Sequence, residues 1–227
     1  MSRLGWSRPL GLGVTLGIAC LASTVAVMAQ SRPRPFDSPE AAFDHLHQVA
    51  RSPRCVNCHG MYRGDGQRIP TVGDAMTPHP MNITDAHNPP AARSLGLTCS
   101  SCHGTANSST PGGPPGAPEQ PLWQMPTRDN TQLPPDISKR QLCENWAAAI
   151  RETVNEERRR GAPPRPASKV FVHHVGHDKL IEWAFSPGEG RTPAPGGFPR
   201  LVEAAEKWAE TLEDPKWCAT LKGGRRP

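Results

Sequence analysis

Aromatic residues are scarce in this chain of 227 residues, at 5% of the total, and apolar residues of all kinds make up only 36%. Proline (27) and glycine (21) are abundant by comparison. A domain built from protein alone with this composition would have a thin core, and much of the chain should lack regular structure.

Long apolar runs are missing beyond the N-terminus. The run from Leu10 to Val27 is glycine-rich and leads to the small-residue cleavage site Val27-Met28-Ala29. It is slightly short for a membrane span, which needs about 20 apolar residues. We therefore interpret residues 1–29 as a cleaved export signal and expect a periplasmic protein. An uncleaved signal or lipidation of Cys20 would instead hold the protein at a membrane.

A strong net charge of one sign is also lacking. The chain carries 26 basic and 21 acidic residues, a formal net charge of +5. Cleavage after residue 29 would remove Arg3 and Arg8, so that 24 basic residues remain against 21 acidic ones. Nothing in this balance indicates a nucleic-acid partner.

Two C-x-x-C-H motifs stand out, CVNCH at 55–59 and CSSCH at 99–103. This pattern is the attachment signature of a c-type haem. Two thiols three positions apart can add to the two vinyl groups of one porphyrin, and the adjacent imidazole then reaches the iron. The sequence therefore predicts two covalently attached haem c groups, whose porphyrins would also supply apolar core. The expected thioether residues are Cys55, Cys58, Cys99 and Cys102, and the expected proximal iron ligands are His59 and His103.

Zinc is the main alternative to haem, because two C-x-x-C pairs can form a four-cysteine tetrahedral site. A histidine follows each pair directly, as haem attachment requires. The chain is also interpreted as exported, and thiolate zinc sites are less usual there. Both observations favour haem.

Two further cysteines, Cys143 and Cys218, remain after the haem motifs are counted. In an oxidising compartment they most simply pair with each other. A bridge across about 75 residues would stabilise the fold by roughly 3–4 kcal/mol on the chain-entropy model. The alternative is two buried free thiols.

A distal iron ligand is indicated by the framing of His79. Pro78 and Pro80 flank it, so the loop has few accessible conformations and suits an axial ligand. Met81 and Met76 are the nearby thioether alternatives.

The other distal ligand is expected among three histidines of a predicted helix that starts at Ser168 and breaks near Gly176. His174 and His177 stand at positions i and i+3, so they point to roughly the same side of the helix. We expect one of these two to bind iron.

Helical periodicity is confined to a short segment near Ser38 and to the C-terminal half. We expect a mainly α fold with extensive irregular loop and few or no strands, as a small multihaem cytochrome c would have. One domain would span 30–227. Its haem motifs at 55–103 would lie in loop with few helices of their own, under a helical cover at 138–218.

The chain resembles a family of proteobacterial periplasmic dihaem cytochromes c, often labelled as related to isoquinoline 1-oxidoreductase. The likeness covers about residues 50 to 220. It rests on the two haem motifs, HPMN at 79–82, PPGAP at 114–118 and the closing Trp-Cys at 217–218. It implies a periplasmic electron carrier that serves redox proteins, among them a molybdenum-containing dehydrogenase. Such sequences have histidines matching His79, His174 and His177, which favours bis-histidine ligation over histidine–methionine.

Other functions remain open at this point. A dihaem enzyme of peroxidase type would leave one iron site open, but such enzymes are usually longer, and no convincing distal acid–base pair is found. A haem-based sensor or a haem subunit that anchors a larger redox complex is a further alternative. We expect an electron-transfer protein rather than an enzyme.

Overall fold

A computed structural model describes residues 36–62, 68–88, 96–110, 112–119, 122–126, 131–188 and 190–222. The interpretation of residues 1–29 as an export signal, and of Cys20 as a lipidation site, therefore falls outside the described residues. Within those residues, no helix has both the length and the apolar character that crossing a membrane requires.

Helices are the main regular structure of the described chain, and its strands are few and short, as the sequence predicts. The helices are α1 (Pro39–Ala50), α2 (Pro53–His59), α3 (Lys139–Arg159), α4 (Ala167–His177), α5 (Lys179–Ala184), α6 (Phe198–Ala209) and α7 (Trp217–Thr220). Four two-residue strands form two antiparallel pairs: β1 (Met61–Tyr62) with β2 (Arg68–Ile69), and β3 (Thr71–Val72) with β4 (Thr77–Pro78). Single 3₁₀ turns cover Pro80–Asn82, Asp85–His87 and Cys99–Ser101.

The predicted helix starts are confirmed by their caps. Ser38 Oγ accepts a hydrogen bond from the Ala41 N–H at the start of α1, and Ser138 Oγ accepts one from the Gln141 N–H at the start of α3. Asp178 separates α4 from α5 and caps the latter, close to the predicted break. Each cap satisfies a helix N–H that has no partner within the helix.

Trp208 of α6 is the centre of the helical core and is fully buried. Its ring lies 4.8 Å from the ring of Phe171, 5.2 Å from that of Phe43 and 5.9 Å from that of Trp146, measured between centroids. The expectation of a thin protein core is therefore wrong for the helical part. Few aromatic residues are present, but those of α1, α3, α4 and α6 converge on one point, where each ring buries a large apolar area.

Cys143 of α3 and Cys218 of α7 form a disulfide, with their Cα atoms 5.6 Å apart. The predicted pairing is confirmed. It ties the longest described helix to the last one.

The first C-x-x-C-H motif lies inside helix α2, so the expectation that the motifs have few helices of their own is wrong for this copy. Pro53 follows extended Ser52 and takes the first helical position. There its missing N–H costs nothing and its fixed φ favours the helix. Pro53, three positions after the last residue of α1, thus starts a second helix.

Candidate functional site: two C-x-x-C-H centres

Helix α2 sets the geometry of the first motif. Its turn brings Cys55 and Cys58, three positions apart, to the same side. The two residues between them fix the helix in place. Val56 is fully buried, whereas the Asn57 side chain donates to the Gly73 carbonyl (3.1 Å) and accepts from the Thr71 hydroxyl (2.8 Å).

The ring of His59 is oriented by one hydrogen bond. Its Nδ1 lies 2.6 Å from the Thr131 carbonyl oxygen. Because a carbonyl oxygen only accepts, Nδ1 carries the hydrogen and Nε2 keeps the lone pair that a metal needs. Burial lowers the pKa of His59 to about 4, so the ring is neutral at physiological pH.

The second motif lies on a 3₁₀ turn and is held in a similar way. Ser101 Oγ accepts from the Thr98 N–H (3.0 Å), and Ser100 Oγ accepts from the Trp123 N–H (2.9 Å). His103 Nδ1 donates to the Pro115 carbonyl at 3.0 Å, which again leaves Nε2 with the lone pair. Burial lowers the pKa of His103 as well.

His79 faces His103. Their ring centroids are 6.1 Å apart, with the ring planes at 57°. Two imidazoles bound through nitrogen to opposite sides of one metal, with bonds of about 2.0–2.1 Å, have centroids roughly 6 Å apart. His79 Nδ1 lies 2.7 Å from the Pro80 carbonyl oxygen, so its Nε2 also keeps the lone pair. The pair therefore has the spacing and the tautomers of two axial ligands.

His174 is a candidate distal histidine whose protonation would affect the pKa of His59. Burial and the Thr131 hydrogen bond have the largest influence on the pKa of His59. After these, a proton on His174 would lower the pKa of His59, and the Asp178 carboxylate raises it. His174 Nδ1 lies 3.8 Å from Asp178 Oδ2. His174 and His177 both have exposed side chains, and the ring of His177 stacks on that of His173 with 4.6 Å between centroids. Of these two candidates from the sequence, His174 is among the groups that influence the pKa of His59, and His177 is not.

None of the four motif cysteines takes part in a disulfide, whereas Cys143 and Cys218 are joined. Burial raises the pKa of Cys55 to about 11 and that of Cys58 to about 12. The thiolate is the reactive form of cysteine, so both thiols of the first motif are protonated and unreactive at neutral pH.

In the described part of the chain, no group of three or more His, Cys, Asp or Glu side chains is placed to hold a metal ion.

Buried donors without a partner accompany both motifs. Arg54, just before Cys55, keeps only 5% of its side chain exposed. Its Nη2 pairs with Asp74, but its buried Nε has no hydrogen-bond partner. Trp183 Nε1 is buried and unpartnered in the same way; its ring lies 5.8 Å from Trp123, which stacks on His103 at 4.6 Å. Buried donors are normally paired, so Arg54 and Trp183 could each donate to an acidic group of a haem; Trp208 Nε1, in the helical core, is also buried without a partner.

A buried bridge joins the two motifs. Asn88 exchanges two hydrogen bonds with the Met125 backbone. On one side, Asn88 Oδ1 lies 3.9 Å from Cys99 Sγ. On the other, the Met125 methyl group packs against Gly60, which ends α2. The first and second motifs are therefore neighbours.

Several residues of this site carry no signal in the sequence. Thr131 and Pro115 act through backbone carbonyls, which every residue has. Asn88 acts through a contact 37 positions away in the chain, and Trp123 looks like an ordinary packing residue. Only Arg54 could be sought from the sequence, as a charged residue directly before Cys55.

Comparison with protein-family models, with curated proteins and with solved structures found no match for this chain. The functional argument therefore rests on the residues themselves.

Proposed function

We propose that this chain is an exported dihaem c-type cytochrome that carries electrons between periplasmic redox proteins. The observation that carries the proposal is the 6.1 Å spacing of His79 and His103, two histidines that the sequence proposes independently as a distal and a proximal ligand. The two C-x-x-C-H motifs support the same class of protein.

The first haem would be held by thioethers to Cys55 and Cys58, with His59 and His174 as its axial ligands. Each thioether forms when the S–H bond adds across a vinyl double bond, sulfur to one carbon and hydrogen to the other. The placement of Cys55 and Cys58 on the same side of α2 and the Thr131 hydrogen bond to His59 support this site.

The second haem would be held by thioethers to Cys99 and Cys102, with His103 and His79 as its axial ligands. The hydrogen bonds from Nδ1 of His103 and His79 to backbone carbonyls support it, since each orients a ring and makes the free nitrogen a better donor.

The iron, when bound, supplies reversible one-electron transfer. The chain's part is to keep both axial positions filled, because two strong nitrogen ligands leave no site for a substrate and lower the reduction potential relative to a methionine ligand. Buried Arg54 and Trp183 would each donate to a propionate. No step of acid–base catalysis is needed.

The test is the ferric spectrum and EPR signal of the chain produced with a c-type haem maturation system. We expect two haems per chain by the pyridine haemochrome assay and two low-spin ferric centres. His79→Gly and His174→Gly should each convert one centre to high spin, because each removes an axial ligand. His177→Gly is the matched control and should leave both centres low-spin.

The outcomes separate the alternatives. A chain that takes up zinc and no haem would overturn the whole proposal. A high-spin centre in the unaltered protein, or cyanide binding without ligand loss, would point to a dihaem enzyme of peroxidase type. High-spin conversion by His177→Gly and not by His174→Gly would reassign one ligand and leave the function as proposed.

A further inference from the structure

The two large apolar side chains that are exposed in the described part of the chain belong to segments beside one candidate centre. Met81 is 71% exposed and lies two positions after His79; Leu122 is 57% exposed and precedes Trp123, whose ring stacks on His103. The two segments meet at His103, whose ring contacts those of His79 and Trp123, and exposed apolar side chains beside one site can mark an interaction surface.

The backbone around Met81 adds a second observation. Met81 has φ +64° and Asn82 has φ +54°, in the left-handed region that is unfavourable for a side chain such as that of Met and is adopted more readily by Asn. The Met81 side chain is nevertheless exposed to solvent. A strained exposed residue that the fold does not need is a reason to look for function there.

Charge is absent from the sequence of these segments. Residues 75–84, 96–118 and 122–126 contain no Asp, Glu, Lys or Arg. Two charged groups reach their edge: Lys179 lies 3.4 Å from the Glu119 carboxylate, and Arg191 donates to the Gly113 carbonyl. The exposed cysteine of the second motif, Cys102, belongs to the same segments.

The first motif is less accessible to solvent than the second. Arg54 and Val56 beside its cysteines are buried, and Cys55 and Cys58 are themselves only partly accessible. An electron would therefore enter or leave more readily at the second motif, since transfer between proteins requires close approach.

We propose that the uncharged face formed by residues 79–82, 99–103 and 122–123 is the docking surface for a redox protein whose own contact patch is apolar and uncharged. We call it the apolar face. The proposal rests on the proposed electron-transfer function. Neutral, apolar surfaces fit one another because no charge is desolvated on contact, and redox encounters use small interfaces, below about 1,200 Å².

A basic cluster is the alternative docking site for a redox partner. Arg158, Arg159 and Arg160 form an exposed cluster at the end of α3, and such a cluster would dock an acidic partner. Binding there would weaken with salt, because screening shortens the Debye length from about 30 Å at 0.01 M to about 10 Å at 0.1 M. Binding through the apolar face should not weaken with salt.

Protein-film voltammetry tests the proposal with defined surfaces in place of the partner. The haem-loaded chain is placed on gold electrodes coated with methyl-terminated, carboxylate-terminated or ammonium-terminated alkanethiols. We expect the fastest interfacial electron transfer on the methyl surface, unchanged between about 0.01 M and 1 M salt.

Two variants place a charge on the apolar face, Met81→Lys and Leu122→Lys. Each should slow transfer at the methyl surface by about tenfold or more, since the charge must be desolvated on contact. Both side chains are exposed, so the low-spin spectrum should stay unchanged and verify the fold. Arg159→Ser is the matched control and should leave the rate unaltered.

The remaining outcomes overturn the inference. Fast transfer only on the carboxylate surface, lost in Arg159→Ser, would assign docking to the basic cluster with the proposed function intact. Equal rates on all surfaces would mean that no preferred face exists. Co-sedimentation with phosphatidylcholine vesicles, abolished by Met81→Lys, would make the apolar face a membrane contact. Absence of bound haem would instead refute the proposed function itself.

Discussion

Asn88 and Met125 exchange two hydrogen bonds in the space between the two C-x-x-C-H motifs: the Met125 N–H donates to Asn88 Oδ1 at 2.7 Å, and Asn88 Nδ2 donates to the Met125 carbonyl at 3.0 Å. Both residues are buried. The Asn88 side chain thus makes the two hydrogen bonds to the Met125 backbone that a neighbouring strand would otherwise make.

Replacing Asn88 with Leu should destabilise the protein by about 2–4 kcal/mol, because it leaves a buried N–H and a buried carbonyl unpaired. Urea unfolding followed by circular dichroism measures this. Asn155→Leu, at an exposed asparagine of α3, is the control and should change stability by no more than about 0.5 kcal/mol. If both variants unfold alike, the bridge contributes nothing.

The assignment of ligand pairs predicts a pattern in chains that carry one haem. Cys55→Ser with Cys58→Ser should leave only the second haem, and in that background His79→Gly should give a high-spin centre while His174→Gly should not. Cys99→Ser with Cys102→Ser should reverse the pattern. EPR distinguishes the cases, and an exchanged pattern would mean that the two distal histidines serve the opposite centres.

Local sequence rules predicted the parts of the fold that depend on neighbours in the chain. Ser38 and Ser138 cap helices because a hydroxyl needs only a nearby N–H. The pairing of Cys143 with Cys218 followed from counting thiols. These features do not require knowledge of how distant segments meet.

Local sequence rules could not predict the features that join distant segments of the chain. His79 could be proposed as a ligand from its two prolines, but its partner, 24 positions away, could not. Helix α2 was missed because Pro53 is equally suited to ending one helix and starting the next. The carbonyls of Thr131 and Pro115 have no residue-type signature, so only the folded chain identifies them.

Removal of the disulfide should lower stability without altering the haem sites. Cys143→Ser should cost about 4 kcal/mol, since the bridge closes a loop of 75 residues. Urea unfolding with and without dithiothreitol measures it. The reductant should destabilise the unaltered protein by the same amount and have no further effect on Cys143→Ser. Loss of low-spin character in this variant would show that the bridge also supports a ligand.

Gly60 offers the sharpest test of the backbone around the first motif. It ends α2 with φ +66°, and a Cβ there would lie 2.3 Å from the Ile69 carbonyl oxygen, a backbone atom that cannot rotate away. Gly60→Ala should therefore cost about 3 kcal/mol or more, combining left-handed strain with overpacking. Because α2 holds Cys55, Cys58 and His59, the variant should also lower the yield of haem at this motif.

Gly161→Ala separates these two costs. Gly161 has φ +74° but nothing within 4 Å of where its Cβ would stand, so the substitution adds strain alone and should cost about 1 kcal/mol. The difference between the two variants in urea unfolding measures the close approach of Gly60 to Ile69. Equal losses would mean that β2 can shift away from α2, and the position of the first motif would then not depend on that contact.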